Sequence, residues 1–301
     1  MRETPALSRN GRMGVNCAGN GPDCVGIVPG HWRGLDMSIF REDILKGRVA
    51  LVTGGGTGIC RGVTEALMRH GCDAVITSRK LDVLTTAAAE LEAATGRSCL
   101  AVAADVRRPD EVEAAVERTL ERFGRLDIVV NGAAGNFLAP AASLSYNAFR
   151  TVMEIDALGT FNVTKAAFTK ALATHGGCVI NISATLHYRG TPLQAHPGSA
   201  KAAVDALTKH LAVEWGPMGV RVNCIAPGPI DGTEGMARLA PGDAKARVEK
   251  TIPLGRFGRI DEIGDAAVFL ASDAASYITG TVLVVDGGAW LTQPPFTQLF
   301  E

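Results

Sequence analysis

Apolar residues fall along this chain in two alternating rhythms. Short runs that are apolar at nearly every position predict seven buried strands: RVALVT (48–53), DAVITS (73–78), CLAVAAD (99–105), DIVVN (127–131), CVINIS (178–183), VRVNCIA (220–226) and TVLVVDGG (281–288). Between them, apolar residues recur at helical spacing. One helix follows a glycine-rich turn and runs through Met68, and a second, rich in alanine and leucine, precedes Cys99. A third carries Val112, Ala115, Val116, Leu120 and Phe123 as one stripe, and a long helical region begins near Ala148. The helix bearing Lys201 buries Val204, Leu207, Leu211 and Trp215, and a last one lies near 261–272. Strands apolar on both faces, each joined to the next by a helix, predict a parallel sheet covered on both sides. Right-handed crossovers then give an α/β, doubly wound Rossmann sheet of about seven strands in one domain.

That domain is expected over residues 37–301. Residues 1–36 are rich in Gly, Pro and Asn without helical or strand period, which predicts a poorly ordered extension, with Met37 as an alternative start. The extension is a weak transit-peptide candidate and no secretory signal. Composition narrows the function. A net charge of −1 leaves no electrostatic footprint for nucleic acid or an anionic membrane. No apolar run reaches the length of a membrane span. The seven cysteines are odd in number and scattered, which points to a reducing intracellular compartment and to small core residues rather than metal ligands.

The turn VTGGGTGICRG (52–62) joins the first strand to its helix, so Gly54, Gly55, Gly56, Thr57, Gly58 and Ile59 are candidate dinucleotide contacts. Glycines there let the backbone approach a pyrophosphate and aim helix N-terminal amides at it. Cys60 stands where a third glycine packs helix against strand, and its small side chain is expected to be tolerated. The second strand ends in Thr77-Ser78-Arg79-Lys80, with no carboxylate to bind a ribose 2′-hydroxyl. Arg79 and Lys80 instead suit a 2′-phosphate, so NADP(H) is favoured over NAD(H).

Several motifs now coincide: TGGGTGI at the first turn, Asp105 after the third strand, VNGAAG (130–135), Ser183, Lys201 and APGPIDGT (226–233). Together they resemble the short-chain dehydrogenase/reductase family over about residues 40–292. Longer strings, AAGNFL (133–138), EIDALGTFNV (154–163), NISATL (181–186), GSAKAAVDA (198–206), HLAVEWGP (210–217), APGPIDGTEGM (226–236) and VDGGAWL (285–291), look like its peroxisomal-type 2,4-dienoyl-CoA reductases. The resemblance explains an oddity. The wider family places a tyrosine four residues before the lysine, and here that position is Pro197, which has no acidic proton. The resembled subfamily works without the tyrosine. Hydride enters the far end of a conjugated thioester, charge moves to the thioester oxygen, and a proton must reach carbon.

The resemblance implies that Asp156, where the wider family usually has asparagine, organises a water against Lys201 for that protonation, giving a trans-3-enoyl-CoA. Lys201 is further expected to bind the nicotinamide ribose. Ser183 either polarises the thioester and holds water or merely ends its strand. Asn131 and Asp105 are expected at the cofactor, with Pro227, Gly228, Pro229, Ile230 and Thr233 at its nicotinamide end. Asn136 and the amide of Phe137 are plausible contacts to the thioester. Arg107, the Ser145-Tyr146-Asn147 turn and Arg238 are expected acyl-CoA contacts, and residues 233–254 a flap over the substrate. Tyr188 is out of register with the tyrosine of mitochondrial-type relatives, where this chain has Leu186, and it is not expected to donate the proton; His196 is left open. Two rivals stand beside this reading: a carbonyl or 3-oxoacyl reductase of the same fold, and a non-catalytic NADP-binding protein. By resemblance the chain forms a homotetramer and works in the peroxisome, although it ends in QLFE and not in a tripeptide like Ser-Lys-Leu, so mitochondrial and cytosolic placement stay open.

Overall fold

Seven parallel strands lie side by side in the order β3-β2-β1-β4-β5-β6-β7. They are β1 (Val49–Thr53), β2 (Asp73–Ser78), β3 (Cys99–Ala103), β4 (Ile128–Asn131), β5 (Gly177–Ile182), β6 (Val220–Pro227) and β7 (Val282–Val285). The computed structural model describes residues 39–233 and 244–292. Residues 1–36, the centre of the expected flap and Arg238 lie outside the described residues.

Alternate strand residues point to opposite faces, and each face packs its own core. Ala50, Val52, Ala74, Ile76, Ile128 and Val130 face α1 (Gly58–Arg69), α2 (Leu81–Thr95) and the helix Ile260–Ala271. Leu51, Val75, Val129, Val179 and Val222 face α3 (Pro109–Phe123), the 146–175 helical region and the long helix Ala195–Trp215. The two edge strands end earlier than their apolar runs: β3 stops at Ala103 and β7 at Val285, where pairing with a single neighbour gives out. The 146–175 region is not one continuous α-helix. It runs as α4 (Tyr146–Met153), a π-helical turn (Glu154–Leu158), α5 (Gly159–Ala167), a second π turn (Phe168–Leu172) and α6 (Ala173–His175). The Ala195–Trp215 helix is therefore α7.

The strand order reverses between β1 and β4, which opens a crevice at their carboxyl ends. Contacts across that crevice are tight. Gly54 has φ +72°, and a side chain there would meet the Gly132 carbonyl oxygen at 3.1 Å. The Thr53 hydroxyl accepts from the amides of Gly132 (2.9 Å) and Ala133 (3.1 Å), fastening the loop after β4 to the end of β1. The position that departs from the glycine pattern is accommodated here too. Cys60 is buried, and its Sγ occupies the space a Cβ on Gly132 would need, at 1.9 Å. Gly132→Ala is therefore expected to destabilise by about 1–3 kcal/mol through overpacking. Pairing it with Cys60→Ala should recover most of that loss in urea unfolding.

Candidate active site

Four segments converge at the carboxyl edge of the sheet: the turn 54–59, the loop 132–140 after β4, the segment after β5, and 227–233 after β6. α7 and the π turn bring Lys201 and Asp156 beneath them. Lys201 is 8 % exposed, and its ammonium donates to the Ile182 carbonyl at 3.0 Å. Its Nζ also lies 3.0 Å from Asp156 Oδ2, as an ion pair without hydrogen-bond alignment. Asp156 is 1 % exposed, and its Oδ1 accepts from the Gly135 amide at 2.7 Å. The carboxylate thus bridges the helical region, the β4 loop and α7.

The π turn is what aims Asp156. The Gly159 amide reaches back to the Glu154 carbonyl, five residues earlier, so an extra residue widens the helix where Asp156 sits. Gly159 follows at once, where a Cβ would come within 2.6 Å of the Val106 side chain. Such interruptions of an α-helix occur often at functional sites.

At the nucleotide end, α1 begins with Thr57 in an extended conformation, and its side chain makes no capping bond. No acidic residue occupies the first turn of this helix, so its first amides face a ready anion site. Gly55 packs so closely on Ile76 that a Cβ would sit 2.6 Å from its methyl, whereas Gly58, at φ +55°, faces open space. Arg79 and Lys80 are both exposed at the end of β2.

Other expected site residues sit less simply. Asn131 is buried, and its amide nitrogen donates to Thr164 Oγ1 (2.7 Å) and Asn181 Oδ1 (2.8 Å), in a network that continues from Asn181 to Thr208. Arg107 embraces the Asp105 carboxylate, with Nε 2.9 Å from Oδ1. That guanidinium holds the Asp105 carboxyl below its usual range, so both residues are ionised and mutually paired. Ser183 is buried, and its hydroxyl points to the Lys201 main-chain carbonyl at 3.5 Å. Ser145 caps α4 by accepting from the Ala148 amide, while Tyr146 (94 % exposed) and Asn147 stand open beside it. Asn136 and Phe137 are exposed at the crevice. Pro227 and Ile230 are buried, Gly228 bonds to the Val285 carbonyl, and the Thr233 hydroxyl donates to the Ile230 carbonyl.

Tyr188 sits edge-on to His187 and Trp290, and burial, with the nearby Asp205, pushes its phenol above the ordinary value. It is a poorer proton donor than a free tyrosine. His187 pairs with Asp205 at 2.9 Å. Burial pushes the Cys60 thiol up to about 11, which keeps it a protonated core group. The sequence reading missed Thr53, the strap of the β4 loop, and Gln194, which is buried just ahead of α7. Only the position of Thr53, closing a strand before a glycine turn, offered a signal.

Among the described residues no helix is long and apolar enough to cross a membrane. The chain matches the family model described as enoyl-(acyl carrier protein) reductase over residues 54–289. It is 59% identical to a peroxisomal 2,4-dienoyl-CoA reductase of Danio rerio over 255 residues, covering 84% of this chain and 85% of the relative. A protein of the same name from Pongo abelii is 55% identical, covering 85% of this chain and 88% of its own length. Among solved structures, a putative short-chain alcohol dehydrogenase of Sinorhizobium meliloti superposes with a TM-score of 0.77 at 34% identity, over 82% of this chain and 98% of the other. A family match over most of the chain, relatives more than half identical over most of its length and a solved structure that superposes on its fold leave one conclusion: the chain belongs to the short-chain dehydrogenase/reductase family.

Proposed function

We propose that this protein reduces 2,4-dienoyl-CoA thioesters with NADPH, yielding trans-3-enoyl-CoA in the β-oxidation of unsaturated fatty acids. The observation that carries the reading is the buried Asp156–Lys201 pair in a site whose tyrosine position is Pro197. A carbonyl reductase needs an acid at the alkoxide oxygen, and proline provides none. The printed names of the relatives point the same way.

Reductases of this family use NAD(P)H. The residues present fit NADP(H): Gly58 leaves the backbone open to a pyrophosphate, Gly54 and Gly55 let the turn pack against Gly132 and Ile76, uncapped α1 amides face the opening, and Arg79 and Lys80 end β2 without a carboxylate beside them. A nicotinamide held there supplies the hydride. Lys201 would hold its ribose, and residues 227–233 would meet its nicotinamide end. On the substrate, charge arriving at the terminal carbon of the diene runs to the thioester oxygen, and the α-carbon then takes a proton. Asp156 and Lys201 offer an acceptor and a donor to the water that gives it; at 3.0 Å the two charges touch directly, so that water sits beside the pair and not between them. Asn136 and the Phe137 amide lie along the acyl thioester; Arg107, residues 145–147 and Arg238 meet the coenzyme A phosphates, with Arg107 first leaving Asp105.

Phe149, Leu158 and Phe161 leave apolar surface exposed along the 146–167 helical segment, which suits burial between subunits of a homotetramer. Light scattering after size exclusion reads the assembly. The compartment follows the relatives' names, peroxisomal, and imaging of the tagged full chain tests it. The activity itself is tested by NADPH oxidation with a 2,4-dienoyl-CoA beside a simple ketone. Turnover is expected with the first alone, and faster with NADPH than with NADH. A preference for the ketone would overturn the reading.

A further inference from the structure

The start of α7 gathers buried polar atoms that find no well-aligned protein partner. His196 is 0 % exposed, and neither Nδ1 nor Nε2 makes a well-aligned hydrogen bond, although the Phe137 backbone lies near enough to act on the ring. Gln194, 3 % exposed, has an equally unpartnered Oε1. Each such group costs about 1–3 kcal/mol if nothing ever answers it, so buried polar atoms of this kind call for an explanation. The chain just ahead is strained. Leu193, at φ 64°, is the one non-glycine residue with positive φ among the described residues, a conformation that costs on the order of 1 kcal/mol or more. Its carbonyl accepts from the Ala139 amide at 3.1 Å, which ties the β4 loop to the helix start. That bond brings the Phe137 ring over the imidazole, with centroids 4.2 Å apart and planes tilted 36°.

The buried donors nearby are already engaged, and the exposed Asn136 and Phe137 amide are further donors at the thioester. The Lys201 ammonium faces Ile182 and Asp156, the Gly135 amide faces Asp156, and the Asn131 amide faces Thr164 and Asn181. Yet a developing oxyanion in this crevice requires a donor. We infer that His196 contacts the substrate: its ring N–H donates to the thioester oxygen as that oxygen takes up the dienolate charge, and Phe137, the half-open ring above it, yields to the acyl chain. The inference rests on the dienoyl-CoA reductase reading. Burial lowers the imidazole's affinity for a second proton, outweighing the Phe137 backbone and the Asp156 carboxylate, which act the other way. A neutral imidazole has one N–H to donate and holds it tightly. The oxyanion is stabilised without being protonated. The balance then closes: hydride forms a C–H bond at C5 as NADPH becomes NADP⁺, the displaced electron pairs leave a C3=C4 double bond and a charged oxygen, and one proton from the water adds to C2, discharging it, while solvent replaces that proton.

The test uses the full-length protein. His196→Phe keeps the stacked ring and removes both nitrogens; His196→Asn keeps an N–H. For His196→Phe, kcat with a 2,4-dienoyl-CoA is expected to fall about 100-fold or more, with NADPH affinity within about twofold of wild type. The red shift of the dienoyl chromophore on binding in the presence of NADP⁺, which reports polarisation of the thioester carbonyl, should disappear. His196→Asn should regain part of both. Retention of kcat within about threefold by His196→Phe, or an undiminished red shift, overturns the inference. Should the phenylalanine variant not fold, His196→Asn decides alone: a smaller kcat with a smaller red shift supports it, and wild-type values for both overturn it. A wild-type protein that oxidises no NADPH with a dienoyl-CoA instead refutes the parent reading and takes this one with it.

Discussion

Asp156→Asn is expected to lower kcat on a 2,4-dienoyl-CoA by about 10²–10⁴-fold, the range associated with a positioned proton-transfer group. Asparagine keeps the shape and the oxygen that accepts the Gly135 amide, so the β4 loop stays fastened. It loses the charge that faces Lys201 and the second acceptor that would hold water. NADPH affinity should therefore stay near wild type while formation of the 3-enoyl product in a single turnover slows; the melting temperature should fall, because Lys201 is left as a buried cation without its partner. Normal turnover in this variant would sink the water relay even with the reaction class intact.

Lys201→Met should be worse in both stability and activity. Methionine fills the volume but leaves Asp156 as a buried carboxylate whose one remaining hydrogen bond comes from Gly135. Breaking a buried ion pair in this way costs about 3–5 kcal/mol. The Ile182 carbonyl at the end of β5 also loses its donor. Removing the second charge as well tells a pairing effect from a packing effect. The double variant Asp156→Asn/Lys201→Met should recover most of the lost stability in urea unfolding and none of the activity, giving a coupling energy on the order of 1–3 kcal/mol. Additive losses would mean that the two residues do not act as a unit.

The fold was legible because a parallel sheet buried on both faces writes itself as uninterrupted apolar runs, and the runs beginning near 48, 73, 127, 178 and 220 each became a strand within a residue or two. The runs at 99 and 281 overstated their strands, since apolar content does not say where an edge strand loses its partner. The chemistry was legible as residue identity, not as orientation. Asp156 and Lys201 stand out in their strings, yet nothing in EIDALG announces a π turn, because the extra residue disturbs helical spacing by less than a sequence pattern resolves. Ser183 shows the same gap: a serine ending a strand can turn either way, and its hydroxyl lies toward the α7 main chain. The Phe137–His196 stack joins residues 59 positions apart, a distance no local pattern spans.

The helical turn at Glu154–Leu158 carries a consequence for how this protein tolerates change in length. One residue fewer there would let the segment wind as ordinary α-helix and swing everything before it by roughly 100°. Asp156 would then leave its cation without a single side chain having been altered. Its aim is encoded as a count of residues, so a screen of point substitutions would pass over the position's greatest vulnerability, and a one-codon deletion would find it.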